Sequence, residues 1–178
     1  RCGIPVKLAW LSQLADHAVA RGLDARAATE RLATAETLAY LAEMDARRLY
    51  LPAGYPSMYQ YCVQRMGWSE DEAYRRIRVA RAIHNLTRNA VEAMAEHGGR
   101  LTIVARLDGE DLVIAVRDTG PGIPKEIEGR LFQSFVTAGK EGGTGLGLAI
   151  VKKIVEEHGG TVSVRSSSDG TEFQLRFP

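Results

Sequence analysis

The chain reads as an α+β protein. An all-helical region over residues 1–80 precedes, over 81–178, an α/β sandwich whose mostly antiparallel sheet is covered by helices on one face. Three observations predict this. Apolar residues recur every three or four positions up to about residue 80, four short runs beyond residue 100 alternate apolar with polar, and aromatic and glycine usage changes between the halves. All six tyrosines and both tryptophans precede residue 75, all four phenylalanines follow residue 131, and only four of the 18 glycines fall in the first 90 residues. Residues 1–82 carry 12 basic and 9 acidic side chains, against 11 and 13 in the remainder, so a boundary is expected near residues 75–82.

The first half is read from its leucine spacing. Leu8, Leu11, Leu14 and Ala18 outline one helix, and Leu32, Leu38, Leu41, Met44 and Leu49 outline a second after Gly22 and Asp24. Leu51-Pro-Ala-Gly-Tyr-Pro56 must turn, after which Met58 to Met66 forms a short helix. Ser69 is placed to cap a further helix, with Glu70, Asp71 and Glu72 suiting its positive N-terminal end, and that helix runs through Tyr74, Ile77 and Val79.

In the second half, Asn85 to Glu96 has a helical apolar pattern closed by Gly98-Gly99. Leu101, Ile103, Ala105 and Leu107 then repeat every second residue, as a half-buried strand does. Asp108-Gly109 turns the chain into Leu112, Ile114 and Val116. After a glycine-rich loop, Leu146 to His158 is a helix closed by Gly159-Gly160. Val162 and Val164, with Phe173, Leu175 and Phe177, flank a second hairpin at Ser168-Asp169-Gly170.

Composition narrows the function. A formal charge of +1 provides no global field to attract nucleic acid or an anionic membrane, so any such binding is local. Cys2 and Cys62 are too few for a disulfide framework or a cysteine zinc site, which favours a reducing compartment. No apolar run approaches the ~20 residues of a membrane span, and the chain opens on Arg1 without a signal-peptide core. It reads as a soluble fragment or processed chain, cytoplasmic or the cytoplasmic portion of a larger protein.

Four segments carry the chemistry. They are Asn85-Leu-Thr-Arg-Asn89-Ala-Val-Glu92, Asp118-Thr-Gly120-Pro-Gly122-Ile123-Pro124, Leu131-Phe132-Gln-Ser-Phe135, and Gly143-Thr144-Gly145-Leu146-Gly147-Leu148. Asn85, Asn89 and Glu92 share a helix face, where neutral amide oxygens can ligate a hard cation already holding phosphates; alone, such a face is more often merely solvated. Asp118 ends a strand beside two glycines, leaving its carboxylate facing whatever occupies the loop. Gly143, Gly145 and Gly147 open a helix, where free backbone N–H groups suit phosphate oxygens. Neither a dinucleotide fold nor a P-loop has this spacing. Ser134 to Gly142 reads as a mobile lid, and its Lys140 is a cation suited to a terminal phosphate.

In this order, the four segments resemble the N, G1, F and G2 boxes of the histidine-kinase-type ATP-binding domain, within the superfamily shared with gyrase, Hsp90 and MutL. The resemblance covers about residues 81–178 and implies a Bergerat-type sandwich that binds ATP with Mg2+. It makes Asn89 the magnesium ligand, supported by Asn85 and Glu92, and Asp118 the acceptor for the adenine amino group. Gly120, Gly122, Ile123, Phe132 and Phe135 then shape the pocket, and Gly143 to Leu148 meet the phosphates. ATPase branches place a glutamate where Asn85 stands, and an amide cannot serve as a base, so slow hydrolysis is expected. A response regulator or another phosphoacceptor protein is the implied partner.

The phosphoacceptor histidine is not identified in this chain. His84 and His97 fall in or just after the N box, His158 closes the last helix, and His17 lacks the acidic residue and proline that follow such a histidine. An anti-sigma-factor-like Ser/Thr kinase, which uses the same boxes, needs no histidine. Residues 36–81 resemble, more weakly, the helical N-terminal region of bacterial HNH-endonuclease proteins, without the metal motif. Met58–Met66 with Glu70–Ile83 also fits a helix-turn-helix whose Arg75, Arg76, Arg78 and Arg81 contact DNA, with the nucleotide domain regulatory or vestigial. The preferred reading is an amphipathic bundle with a basic face, suited to homodimerisation. The join at Ile83-His84-Asn85 has the look of a fusion or truncation. A sheet lacking its usual edge strand there would have an unprotected border.

Overall fold

The computed structural model describes Glu30, residues 33–136 and residues 144–178. His17, the first predicted helix, Leu32, Lys140 and Gly143 lie outside the described residues. A helix, α1, covers residues 33–46, and a turn-rich stretch follows it. The predicted Met58–Met66 helix is a single turn, α2 (Met58–Gln60), continued by a π-helical turn over Tyr61–Arg65. Ser57 caps it by accepting a hydrogen bond from the Gln60 N–H at 3.1 Å.

The predicted stretches either side of the boundary are one helix, α3 (Glu70–Ala93), of 24 residues. Ser69 caps it as expected, its hydroxyl accepting from the Glu72 N–H at 3.2 Å, with three acidic residues in the first turn. Residues 75–82 are therefore no break in the chain. On one side Ala73, Ile77 and Ala80 pack with Leu41, Met58 and Cys62; on the other Val79, Ile83 and Leu86 pack into the core beneath the sheet. Each large apolar side chain buried there contributes about 1.5–3 kcal/mol.

The sheet comprises β1 (Leu101–Asp108), β2 (Asp111–Asp118), β3 (Thr161–Ser167) and β4 (Gly170–Phe177), in the order β1-β2-β4-β3 and antiparallel throughout. Both predicted hairpins form. Asp108 pairs with Asp111 around a two-residue turn in which Gly109 takes φ +66°, and Ser167 pairs with Gly170 around the other. Between the hairpins come α4 (Lys125–Glu128) and α5 (Gly147–Glu157), the latter one residue shorter at each end than predicted. Val151, Ile154 and Val155 of α5 and Leu86 of α3 meet Ile114, Val116 and Leu175 in one core.

One expectation needs correction. β1 is not half-buried by alternation: Ile103 is 43% exposed and Val104 46%, although they point to opposite faces. α3 packs mainly on β2 and α5 on β3 and β4, and β1, of which Leu101 and Leu107 reach the core, is a border strand with no strand on its outer side among the described residues. The four arginines offered to DNA each meet a carboxylate. Arg75 pairs with Asp71, Arg76 with Glu72 while stacking on Trp68, Arg78 with Glu157 of α5, and Arg81 with Asp45 at 2.7 Å.

Candidate functional site

Asp118 stands at the end of β2, 4% exposed, and its Oδ1 accepts two backbone hydrogen bonds. The Gly120 N–H donates at 2.9 Å from the loop it begins, and the Thr171 N–H donates at 3.2 Å from β4. A buried carboxylate fixed in this way keeps its second oxygen directed by the same geometry. The pairing of Arg117 with Glu172 brings Thr171 alongside Asp118. Gly170 presses its own backbone on the Asp118 carbonyl so closely that a Cβ there would overlap it.

The loop after Asp118 is tied down on two sides. A Cβ on Gly120 would come within 3.5 Å of the Ala93 side chain and carbonyl, so this loop lies against the last turn of α3, next to Glu92. Gly122 takes φ +81°, and a Cβ there would overlap the Ser167 carbonyl. Ile123 donates its N–H to the Ser166 hydroxyl at 2.8 Å, and that hydroxyl lies 3.3 Å from the Thr171 hydroxyl. Ser166 and Thr171 are residues beside this loop that sequence reasoning missed, because their place depends on the pairing of β4 with β2 and with β3.

Asn85 and Asn89 are half-buried on α3, and Glu92, one turn on from Asn89, is exposed. Its carboxylate lies 3.6 Å from Arg88. The F and G2 segments meet directly: Phe135 donates its N–H to the Gly145 carbonyl at 2.9 Å, and a Cβ on Gly145, which has φ +63°, would stand 2.6 Å from the Phe135 carbonyl carbon. Phe135 itself has φ +67° and is 79% exposed, whereas Phe132 turns inward and packs edge-on against Phe173 at 6.4 Å. Ile123, Phe132 and Leu148 all rest on the sheet-side core. The first amides of α5, at Gly147 and Leu148, have no carbonyl one turn back within the helix. Thr144 is exposed and Leu146 half-buried beside them.

The Asp118 loop thus lies at one end of the sheet against the last turn of α3, and the Phe135 segment is joined to the turn that opens α5. Such an arrangement, with a buried carboxylate at the strand end and glycine-lined amides at the helix start, defines a nucleotide-binding α/β sandwich. Residues 74–178 match the family described as Histidine kinase-, DNA gyrase B-, and HSP90-like ATPase, and the chain belongs to that family. The match reaches back from the N box into the first turns of α3, ahead of the resemblance read from residue 81.

Relatives agree in kind. The chain is 43% identical over 105 residues to the alginate biosynthesis sensor protein KinB of Pseudomonas aeruginosa, covering 58% of this chain and 18% of that protein. It is 36% identical over 110 residues to the sensory histidine kinase/phosphatase NtrB of Salmonella typhimurium, covering 56% and 31%. The catalytic domain of histidine kinase ThkA, in a nucleotide-free form, superposes with a TM-score of 0.52 at 34% identity, covering 58% of this chain and 68% of that one. The chain thus spans less than a third of either sensor protein's length.

Proposed function

We propose that residues 74–178 bind ATP together with Mg2+ and act as the catalytic module of a sensor histidine kinase-like protein, transferring the γ-phosphoryl group rather than hydrolysing it. The observation that carries this reading is Asp118, buried at a strand end with one oxygen held by two backbone N–H groups. A carboxylate so placed accepts a hydrogen bond from the adenine amino group, and a base that presents an acceptor there leaves it unsatisfied.

The donor chemistry fits the metal as a passenger of the nucleotide. The residues offered to the metal are two amides and one carboxylate, Asn85, Asn89 and Glu92, so the phosphates would supply most of the charge. Asn89 would add a neutral oxygen ligand, which suits a hard cation, with Asn85 and Glu92 supporting it. Bound magnesium would neutralise phosphate charge and orient the terminal group. The free amides at the start of α5 would hold phosphate oxygens. Asn85 has no basic atom with which to take a proton from water, which keeps hydrolysis slow.

The phosphoacceptor is assigned to another polypeptide or domain, with a response regulator as the downstream partner. His84 lies within α3; His158 caps α5, its Nδ1 hydrogen bonded to the Ile154 carbonyl at 2.7 Å. No described helix is long and apolar enough to cross a membrane, and a cytoplasmic setting is part of the proposal. The helical half is read as a packing and coupling element rather than a DNA reader, because its arginines are matched by carboxylates. Titration calorimetry with ADP and ATP, with and without magnesium, tests the reading. Magnesium-dependent binding that disappears in Asp118→Asn supports it, and no binding by folded wild-type chain sinks it.

A further inference from the structure

β1 is an unusual border. Protein sheets protect their outer strands by keeping them short, by placing lysine or proline on them, or by bulging them away from neighbours. β1 is eight residues long, has no proline and keeps its charges, Arg106 and Asp108, to one end, and it pairs with β2 without a bulge from Leu101↔Asp118 to Asp108↔Asp111. Its centre, Ile103-Val104-Ala105, is apolar, and both Ile103 and Val104 are exposed although they face opposite sides of the sheet. Every second residue of an outer strand turns its N–H and C=O away from its one partner. The opposite border, β3, instead carries exposed Thr161, Ser163, Arg165 and Ser167 on alternate positions.

The sequence of β1 is self-complementary in one register. Set two copies antiparallel with Val104 facing Val104, and Ile103 meets Ala105, Leu101 meets Leu107, Thr102 meets Arg106, and Arg100 meets Asp108. Arg100 has no ion pair among the described residues, whereas Asp108 belongs to an acidic pair with Asp111 that gathers Arg176 and lies 3.8 Å from Arg106. Moving the two-fold axis to Ile103 instead opposes Arg100 with Arg106, a like-charge pair. We propose that two copies of this chain join β1 to β1 antiparallel about Val104, forming one eight-stranded sheet with both helical layers on the same face. The occupant of this edge is thus a second copy, and the contact reaches from the Asp108 turn to Arg100 and Leu101, beside the start of the Asp118 loop.

Sedimentation of the whole chain over a wide concentration range tests the contact, with two variants to locate it. Val104→Lys sets two ammonium groups against each other at an exposed position; the dimer should weaken by about tenfold or more while thermal unfolding of the monomer is unchanged. In a Cys2→Ser background, Val104→Cys should form an interchain disulfide under mild oxidation, and Ile103→Cys, which faces an alanine in this register, should not. A chain that stays monomeric to millimolar concentration overturns the proposal. A dimer indifferent to Val104→Lys that gives no Val104→Cys cross-link also overturns it and moves the interface elsewhere.

Discussion

Asp118 and Asn89 are both assigned to the nucleotide, yet the fold treats them differently. Asp118 is buried, and its Oδ1 accepts from Gly120 and Thr171, so the carboxylate is oriented before any ligand arrives. Asn89 is half-buried on α3 and makes no side-chain hydrogen bond to another described residue. An oriented buried acceptor selects; a partly solvated amide adapts to an ion that arrives with its own water and phosphates. On the proposed reading, recognition of the base is built into the protein, while the metal end is completed by the ligand.

Substitutions that break this contrast rank by size. Asp118→Asn removes the preset acceptor and places an amide in a site shaped by two donors, costing about 2–3 kcal/mol of ADP affinity with or without magnesium, as titration calorimetry would record. Gly122→Ala comes next, since a methyl group at φ +81° meets the Ser167 carbonyl; the loop should shift, with about 1–3 kcal/mol lost from stability in chemical denaturation. Asn89→Ala should cut affinity about tenfold only when magnesium is present and leave magnesium-free ADP binding intact. Ser69→Ala, far from either end, removes the α3 cap and costs about 1 kcal/mol of stability without changing nucleotide affinity.

The last effect is a titration, silent at neutral pH. Burial pushes the Cys62 thiol up from its ordinary 9.0 to about 11, with the nearby Asp45 charge adding to the rise and Arg76 opposing it. The folded state therefore holds this proton more tightly than the unfolded chain. The resulting stability is complete below pH 9 and is lost as pH rises towards about 11. In a Cys2→Ser chain, alkylation at neutral pH should proceed only through unfolding, and a Cys62→Ala chain should lose this part of the alkaline decline.

The residues legible in the sequence were those with local signatures. Asp118, Gly120 and Gly122 announce a strand end and a turn, Ser69 with three acidic residues announces a helix start, and Asp108-Gly109 announces a hairpin. Thr171 and Ser166 were not legible, because their meeting with Asp118 and Ile123 depends on the pairing of β2 with β4 and of β3 with β4. The exposure of β1 was missed for a related reason: alternation shows which residues share a face, but not whether a helix lies over that face. The pairing of Arg78 with Glu157 likewise rests on how α3 crosses α5.

The unbroken run of α3 makes it a shaft. From Ser69 to Asn89 there is no proline or glycine to act as a joint, so about 30 Å of helix connects the cap to the candidate metal ligand. Its first turns are gripped by the helical half and its last turns by the sheet. A twist applied at the first grip therefore reaches Asn85 and Asn89 as rotation rather than bending. One inserted residue between Ile77 and Ile83 would turn one grip against the other by about 100°.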